Sequence, residues 1–201
     1  MDKKELQNPA LYTNRELSWL LFNKRVLSEA RDKQLLLFER LKFLSITASN
    51  LDEFFMVRIG SLVDMIHAEY TKKDIAGMSA KEQLDALMEE THKFAALQYS
   101  TYNRMLLPQL RANGLNFVEH HEQLTERQAQ YVDEYFEENV YPVLTPMAVD
   151  SSRPFPLIRN KSLNIGALVR KKGEEKAEIE FATVQVLSLI HISEPTRLAL
   201  I

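Results

Sequence analysis

Cysteine is absent from the 201-residue chain, which excludes disulfides, thiolate nucleophiles and cysteine-ligated metals within it. The five glycines never cluster, so neither a Walker-type phosphate loop nor a dinucleotide fingerprint is available. No apolar run approaches the roughly 20 residues that span a bilayer. Nor does Met1-Asp2-Lys3-Lys4-Glu5 lead into the apolar segment of a signal peptide. The formal charge is only −3, which argues against a dominant nucleic-acid surface. Histidine is sparse too. His67, His92, His120, His121 and His191 include no pair at helical i, i+4 spacing. His120-His121 stands between Glu119 and Glu122, but adjacent side chains diverge, and a solvated loop is expected there rather than a metal. No Ser/His/Asp set can be defended from order alone. These absences predict a cytoplasmic chain with no membrane span, no nucleic-acid partner, no metal ligands and no complete catalytic site.

What is present is a helical pattern. An apolar share of 45% beside 26% charged residues is ordinary for one or two globular domains. After a loose segment at 1–12, Thr13-Asn14-Arg15-Glu16 reads as a capping box, and a helix follows to about Ala30. Its apolar residues Leu17, Trp19, Leu20, Leu21, Phe22, Val26 and Leu27 cover more than one stripe, which predicts burial against two neighbours. A second helical pattern runs from Leu35 to Ile46, and Thr47-Ala48-Ser49 breaks it. A third helix is expected from Asn50 to about Tyr70, with Leu51, Phe55, Ile59, Leu62 and Ile66 on its core face. Ser79-Ala80-Lys81-Glu82 caps a fourth helix, stopped by Asn113-Gly114 and kinked or ended earlier by Pro108. The basic residues Arg15, Lys24, Arg25, Arg40, Lys42 and Arg58 are spread among acids, as on a solvated helix face.

The pattern changes after Gly114. Leu115–Val118 is a short strand candidate, Thr125-Glu126-Arg127-Gln128 caps a helix to about Val140, and Pro142, Pro146, Pro154 and Pro156 mark an extended connection. Two strands follow at 162–169 and 177–186, joined by a charged hairpin loop at 171–176. The fold class is therefore mainly α: a four-helix bundle-like domain at 13–112, then an incomplete α+β unit at 113–186. Leu187 to Arg197 fits neither period and reads like a translated transposon-type sequencing adapter, so 187–201 is expected to be a non-native tail.

The densest polar stretch is Ser49-Asn50-Leu51-Asp52-Glu53-Phe54-Phe55-Met56-Val57-Arg58. Asn50 reads as a helix N-cap with Glu53 at N3, and Asp52 and Glu53 suit the positive helix end. Phe54, Val57 and Ser61 share its face, with Arg58 to one side. An amide, an aromatic ring and a guanidinium on one surface can hold a nucleobase. They are equally a cap, a core ring and a surface charge.

Three ordered segments resemble the signatures of one family, the bacterial polyphosphate kinases of the long-chain, ATP-dependent type. They are Asn14–Leu27; Glu39–Leu44 with Ser49–Arg58; and Pro142–Asp150 with Pro154-Phe155-Pro156. Met147 stands where the family usually has Leu, a volume-conserving change. The resemblance implies a longer chain: an N-terminal helical domain, a head domain carrying a homo-oligomer contact, and two C-terminal domains of phospholipase-D-like fold. It implies transfer of the terminal phosphate of ATP to a growing polyphosphate through a phosphohistidine, with Mg2+. Asn50 matches the family's ATP-contacting asparagine, and the acids beside it place that contact on the base or ribose side. The nucleophilic histidine and the magnesium ligands belong to the family's C-terminal half, so these residues alone are expected to be inactive. The alternative is a stand-alone helical module for protein interaction or dimerisation, without catalysis.

Overall fold

Buried positions recur every seven residues along the long helices, and that repeat organises the architecture. The computed structural model describes residues 5–149, 154–170 and 179–186. They form two compact units, one up to Phe117 and one from Val118. The expected hairpin loop at 171–176 and tail at 187–201 lie outside the described residues.

In the first unit, α1 (Arg15–Arg31) packs on both α2 (Leu37–Phe54) and α4 (Ala80–Thr101), as its broad apolar surface predicts. A π turn at Phe55–Ile59 joins α2 to α3 (Gly60–His67), and another at Tyr102–Leu106 joins α4 to α5 (Leu107–Ala112). Ala80, Leu87, Phe94 and Thr101 form the buried stripe of α4, and Arg40, Thr47 and Phe54 that of α2. Seven residues bring a helix nearly back to the same face, so such a stripe can follow a neighbour for its whole length. One cluster gathers Leu20, Phe54, Ile59, Leu62, Ala80 and Leu87, and a second gathers Leu27, Ala30 and Phe94.

Several local expectations need correction. Asn14, not Thr13, caps α1: its side-chain oxygen accepts from the backbone of Glu16 and Leu17. Its nitrogen donates to Asp74 at 2.7 Å and Gln83 at 2.8 Å, so tertiary contacts choose the cap. Leu21 and Phe22 are exposed rather than core. The Thr47-Ala48-Ser49 break does not end a helix, and Asn50 is no cap, because α2 continues through it to Phe54. Phe54 is buried in place of Phe55, since the π turn then shifts the face. Arg40 is buried, not solvated. The Ser79–Glu82 capping box forms as expected, and Gly114 ends α5 at φ 83°, a conformation that glycine adopts without strain.

Beyond Gly114 the chain runs extended and unpaired at 115–118, across the boundary between the units, where a strand was expected; no described strand lies beside it. Thr125 and Gln128 form the capping box of α6 (Glu126–Tyr135), which ends in a π turn at Phe136–Val140 ahead of Pro142. A short β1 (Met147–Val149), hidden among prolines in the sequence, joins β2 (Leu163–Val169) and β3 (Glu180–Val186) in an antiparallel sheet of order β1-β3-β2. Ala148 pairs with Ala182, and Gly166 with Thr183. A Cβ at Gly166 would come within 2.9 Å of the Phe181 ring, which stacks on Phe155.

One bond between α1 and α4 carries a pH signature. Lys24 Nζ donates to Glu90 Oε2 at 2.6 Å, and Lys93 Nζ to Glu90 Oε1 at 2.9 Å. The Lys24 hydrogen bond first, and the Lys93 bond second, draw the Glu90 carboxyl from 4.5 down to about 2. A depressed carboxylate adds stability above its unfolded value and loses it as pH falls toward the folded one. Urea midpoints read on Trp19 between pH 5 and pH 2 should fall more steeply for the wild type than for Lys24→Met. Salt should shrink the difference, because the pair is partly exposed.

Candidate functional site

Thr47 is the node from which the candidate site is built. Its backbone carbonyl accepts from Asn23 Nδ2 at 3.2 Å, its hydroxyl accepts from Gln98 Nε2 at 3.0 Å, and that hydroxyl donates to the Leu44 carbonyl at 2.7 Å. The hydroxyl's donation to the preceding turn is how a threonine is tolerated inside a helix. Asn23 is fully buried on α1, and its side-chain oxygen accepts from Asn50 Nδ2 at 3.1 Å. The Thr-Ala-Ser-Asn run therefore stays helical because tertiary partners engage Thr47 and the Asn50 nitrogen. Among the described residues, nothing donates to the Asn50 side-chain oxygen.

Asn50 lines a cleft of about 220 Å³ with Trp19, Phe22, Glu53, Phe54, Val57 and Arg58. The Trp19 and Phe54 rings stack at 4.4 Å between centroids and 9° between planes. The Phe22 ring lies exposed, with the Arg25 guanidinium 5.8 Å from its centroid, close enough for a cation–π contact. Glu16 is buried at the start of α1, paired with Arg15, and its Oε2 lies 3.9 Å from Arg58 Nε. The one carboxylate thus tethers a guanidinium that borders the cleft.

The structure brings together Asn50, Phe54, Val57 and Arg58, as the sequence spacing predicts. It leaves out Ser61, whose hydroxyl donates to the Val57 carbonyl. It adds Trp19, Phe22 and Glu16 from α1, which no spacing around Asn50 signals. A larger groove of about 360 Å³ between α2 and α4 is lined by Leu44, Ala48, Leu51, Asp52, Ala95, Gln98, Tyr99 and Tyr102. It is mostly apolar, and its Gln98 nitrogen is committed to Thr47, so it offers less to read a polar ligand. Among the described residues, no three His, Asp or Glu side chains converge to hold a metal, and no helix is long and apolar enough to cross a membrane.

Comparisons with known proteins bear on this geometry. The family model for the polyphosphate kinase N-terminal domain matches residues 12–118, and that for the polyphosphate kinase middle domain matches 127–191. The polyphosphate kinase of Lactiplantibacillus plantarum is 51% identical over 175 residues, covering 87% of this chain and 24% of that protein. That of Bacillus anthracis is 45% identical over 188 residues, covering 92% and 27% respectively. The crystal structure of polyphosphate kinase from Porphyromonas gingivalis is similar over 85% of this chain and 24% of that one, with 29% identity and a TM-score of 0.61. The chain thus spans about a quarter of the length of these relatives.

Proposed function

Because the chain belongs to the polyphosphate kinase family, we propose that its helical unit presents Asn50 to the base and ribose side of ATP. In this reading the family enzyme moves the terminal phosphate of ATP to a growing polyphosphate, reversibly and as a homo-oligomer. These residues contribute nucleotide contact without the transfer itself.

The observation that carries the reading is the committed amide of Asn50 in a small aromatic-walled cleft. The Asn50 nitrogen is held by Asn23, while its oxygen has no described partner. At about 220 Å³ the cleft is smaller than the roughly 300 Å³ at which pockets for whole drug-sized ligands begin. It suits a base or sugar rather than an entire triphosphate. Glu53 in the wall of the cleft repels phosphate, which points the charged end of the nucleotide elsewhere. No histidine lines the cleft, so the covalent step of a phosphohistidine mechanism has no nucleophile there. The Mg2+ that the family implies has no ligand cluster among the described residues, and none of its chemistry is assigned to them.

Isothermal titration with ATP tests the proposal. Asn50→Ala is expected to weaken binding about tenfold, the upper range for one neutral hydrogen bond. The purified chain is expected to make no acid-insoluble polyphosphate from ATP. Unchanged affinity in the variant, or polyphosphate synthesis by the chain, overturns the reading. A helical module that binds protein without chemistry is the second reading, favoured by the exposed side chains of Phe55, Met56 and Val57. A chain that binds no ATP would leave that one standing.

A further inference from the structure

An asparagine amide is ambiguous by itself: it offers an acceptor on one side and donors on the other. At Asn50 the ambiguity is removed by a chain of hydrogen bonds with a fixed direction. The Thr47 carbonyl can only accept, so Asn23 must turn its Nδ2 toward it, at 3.2 Å. Asn23 then presents its oxygen to Asn50, which must answer with its own Nδ2, at 3.1 Å. What remains of the Asn50 amide is an oxygen, on a half-buried side chain that lines the cleft. Asn23 is fully buried and cannot touch a ligand. Its two amide ends are both spent within the protein, one on a backbone group that cannot reverse.

We propose that Asn23 is the positioning residue that sets the polarity of the site, so that Asn50 accepts a hydrogen bond from the nucleotide and does not donate one. This rests on the reading of Asn50 as the nucleotide contact and deepens it into a rule of specificity. The cleft selects a nucleotide that carries a donor where Asn50 reaches it. Two groups of ATP qualify, the exocyclic amino group of adenine and the ribose hydroxyls. A nucleotide that presents an acceptor there leaves two oxygens facing each other, and a desolvated site rejects such a ligand more strongly than a lost bond alone would imply.

The test is a set of calorimetric titrations on the 201-residue chain with ATP, inosine triphosphate, 2′-deoxy-ATP and 3′-deoxy-ATP. Inosine triphosphate has a 6-oxo acceptor in place of the amino donor, and the deoxy nucleotides lack one ribose donor each. Wild type is expected to bind at least one of these analogues about tenfold more weakly than ATP, and which one identifies the group at Asn50. Asn23→Leu frees the Asn50 amide to rotate, so that preference should collapse to within about twofold. Asn23→Asp is the discriminating variant. It buries a carboxylate against the Thr47 carbonyl and lowers the unfolding midpoint, yet it still accepts from Asn50 Nδ2 and so keeps the preference. A merely structural role predicts that preference follows stability, with Asn23→Asp the worse of the two. Retention of the wild-type preference in Asn23→Leu, or its loss in a folded Asn23→Asp, overturns the proposal. If Asn50→Ala weakens ATP while Asn23→Leu keeps the preference, the relay fails and the nucleotide contact stands. If wild type binds no nucleotide, both fall.

Discussion

Arg40→Ala is expected to destabilise the helical unit by about 3 kcal/mol, the scale of breaking a buried charged network. Arg40 is 2% exposed on the inner stripe of α2. Its Nε donates to the Ala30 carbonyl at 3.1 Å and its Nη1 to Gln109 Oε1 at 2.9 Å, while Nη2 is buried without a partner. The Ala30 carbonyl belongs to the last turn of α1, one of the groups a helix leaves unpaired and the negative end of its dipole. One side chain of α2 thereby caps α1 and reaches α5. Charge-assisted bonds contribute about 1.5–3 kcal/mol each, and burying a guanidinium with an orphan nitrogen offsets part of that. Arg40→Met keeps most of the stem's packing and removes both the bonds and the buried charge, so its expected cost is smaller, about 1 kcal/mol. Urea unfolding followed on Trp19, the single tryptophan, reads this unit. With a slope of about 1–3 kcal/mol per molar urea, the alanine variant should lower the midpoint by roughly 1–3 M. If the methionine variant proves as damaging as alanine, the hydrogen bonds dominate; if it proves stabilising, the buried charge is a net liability.

Arg40 also marks where the sequence stops being legible. Scattered among acids, it looks like any solvated cation, and only the seven-residue step to Thr47 and Phe54 hints at an inner stripe. The elements themselves are readable wherever local chemistry decides. The Ser79–Glu82 box, the Thr125–Gln128 box and the Asn113-Gly114 stop all stand where they were expected. Expectations fail where a partner remote in sequence decides. Asn50 looks like a cap after a weak helical run, and becomes a mid-helix residue because Asn23, 27 positions earlier, takes its nitrogen. Leu115–Val118 has strand composition but no strand to pair with among the described residues, whereas β1 sits between prolines and is held by β3. Asn50 could be singled out from its neighbours and from the family resemblance. Asn23 could not, since its importance lies in a contact across two helices.

Deleting Met56 is expected to leave the helical unit folded, whereas deleting Ser45 from the same rod should abolish its cooperative unfolding. Both residues are exposed, so neither deletion empties the core directly. The difference is rotational. An α-helix turns about 100° per residue, so losing one residue within the stripe swings everything beyond it by that angle. Between Arg40 and Thr47 such a swing forces either Arg40, Phe43 and Leu44 or Thr47, Leu51 and Phe54 away from α1 and α4. Large buried side chains contribute about 2–5 kcal/mol apiece, and several together exceed the 5–15 kcal/mol that holds a typical domain. The π turn at Phe55–Ile59 behaves differently because it already carries one residue too many for a plain helix. Ile59 is buried five positions after the buried Phe54, where a straight helix would place it about 140° off the stripe. Without Met56 it stands four positions after Phe54, on the same face of an ordinary α-helix, and Leu62 and Ile66 follow in register. Far-UV circular dichroism and a Trp19 urea transition of near wild-type midpoint would bear this out. A Met56 deletion that unfolds like the Ser45 deletion would mean that the π turn is itself required by the core. Val57 borders the proposed nucleotide cleft from within that turn, so on that proposal the folded deletion variant should also bind ATP more weakly, which separates the turn's service to the site from its service to the fold.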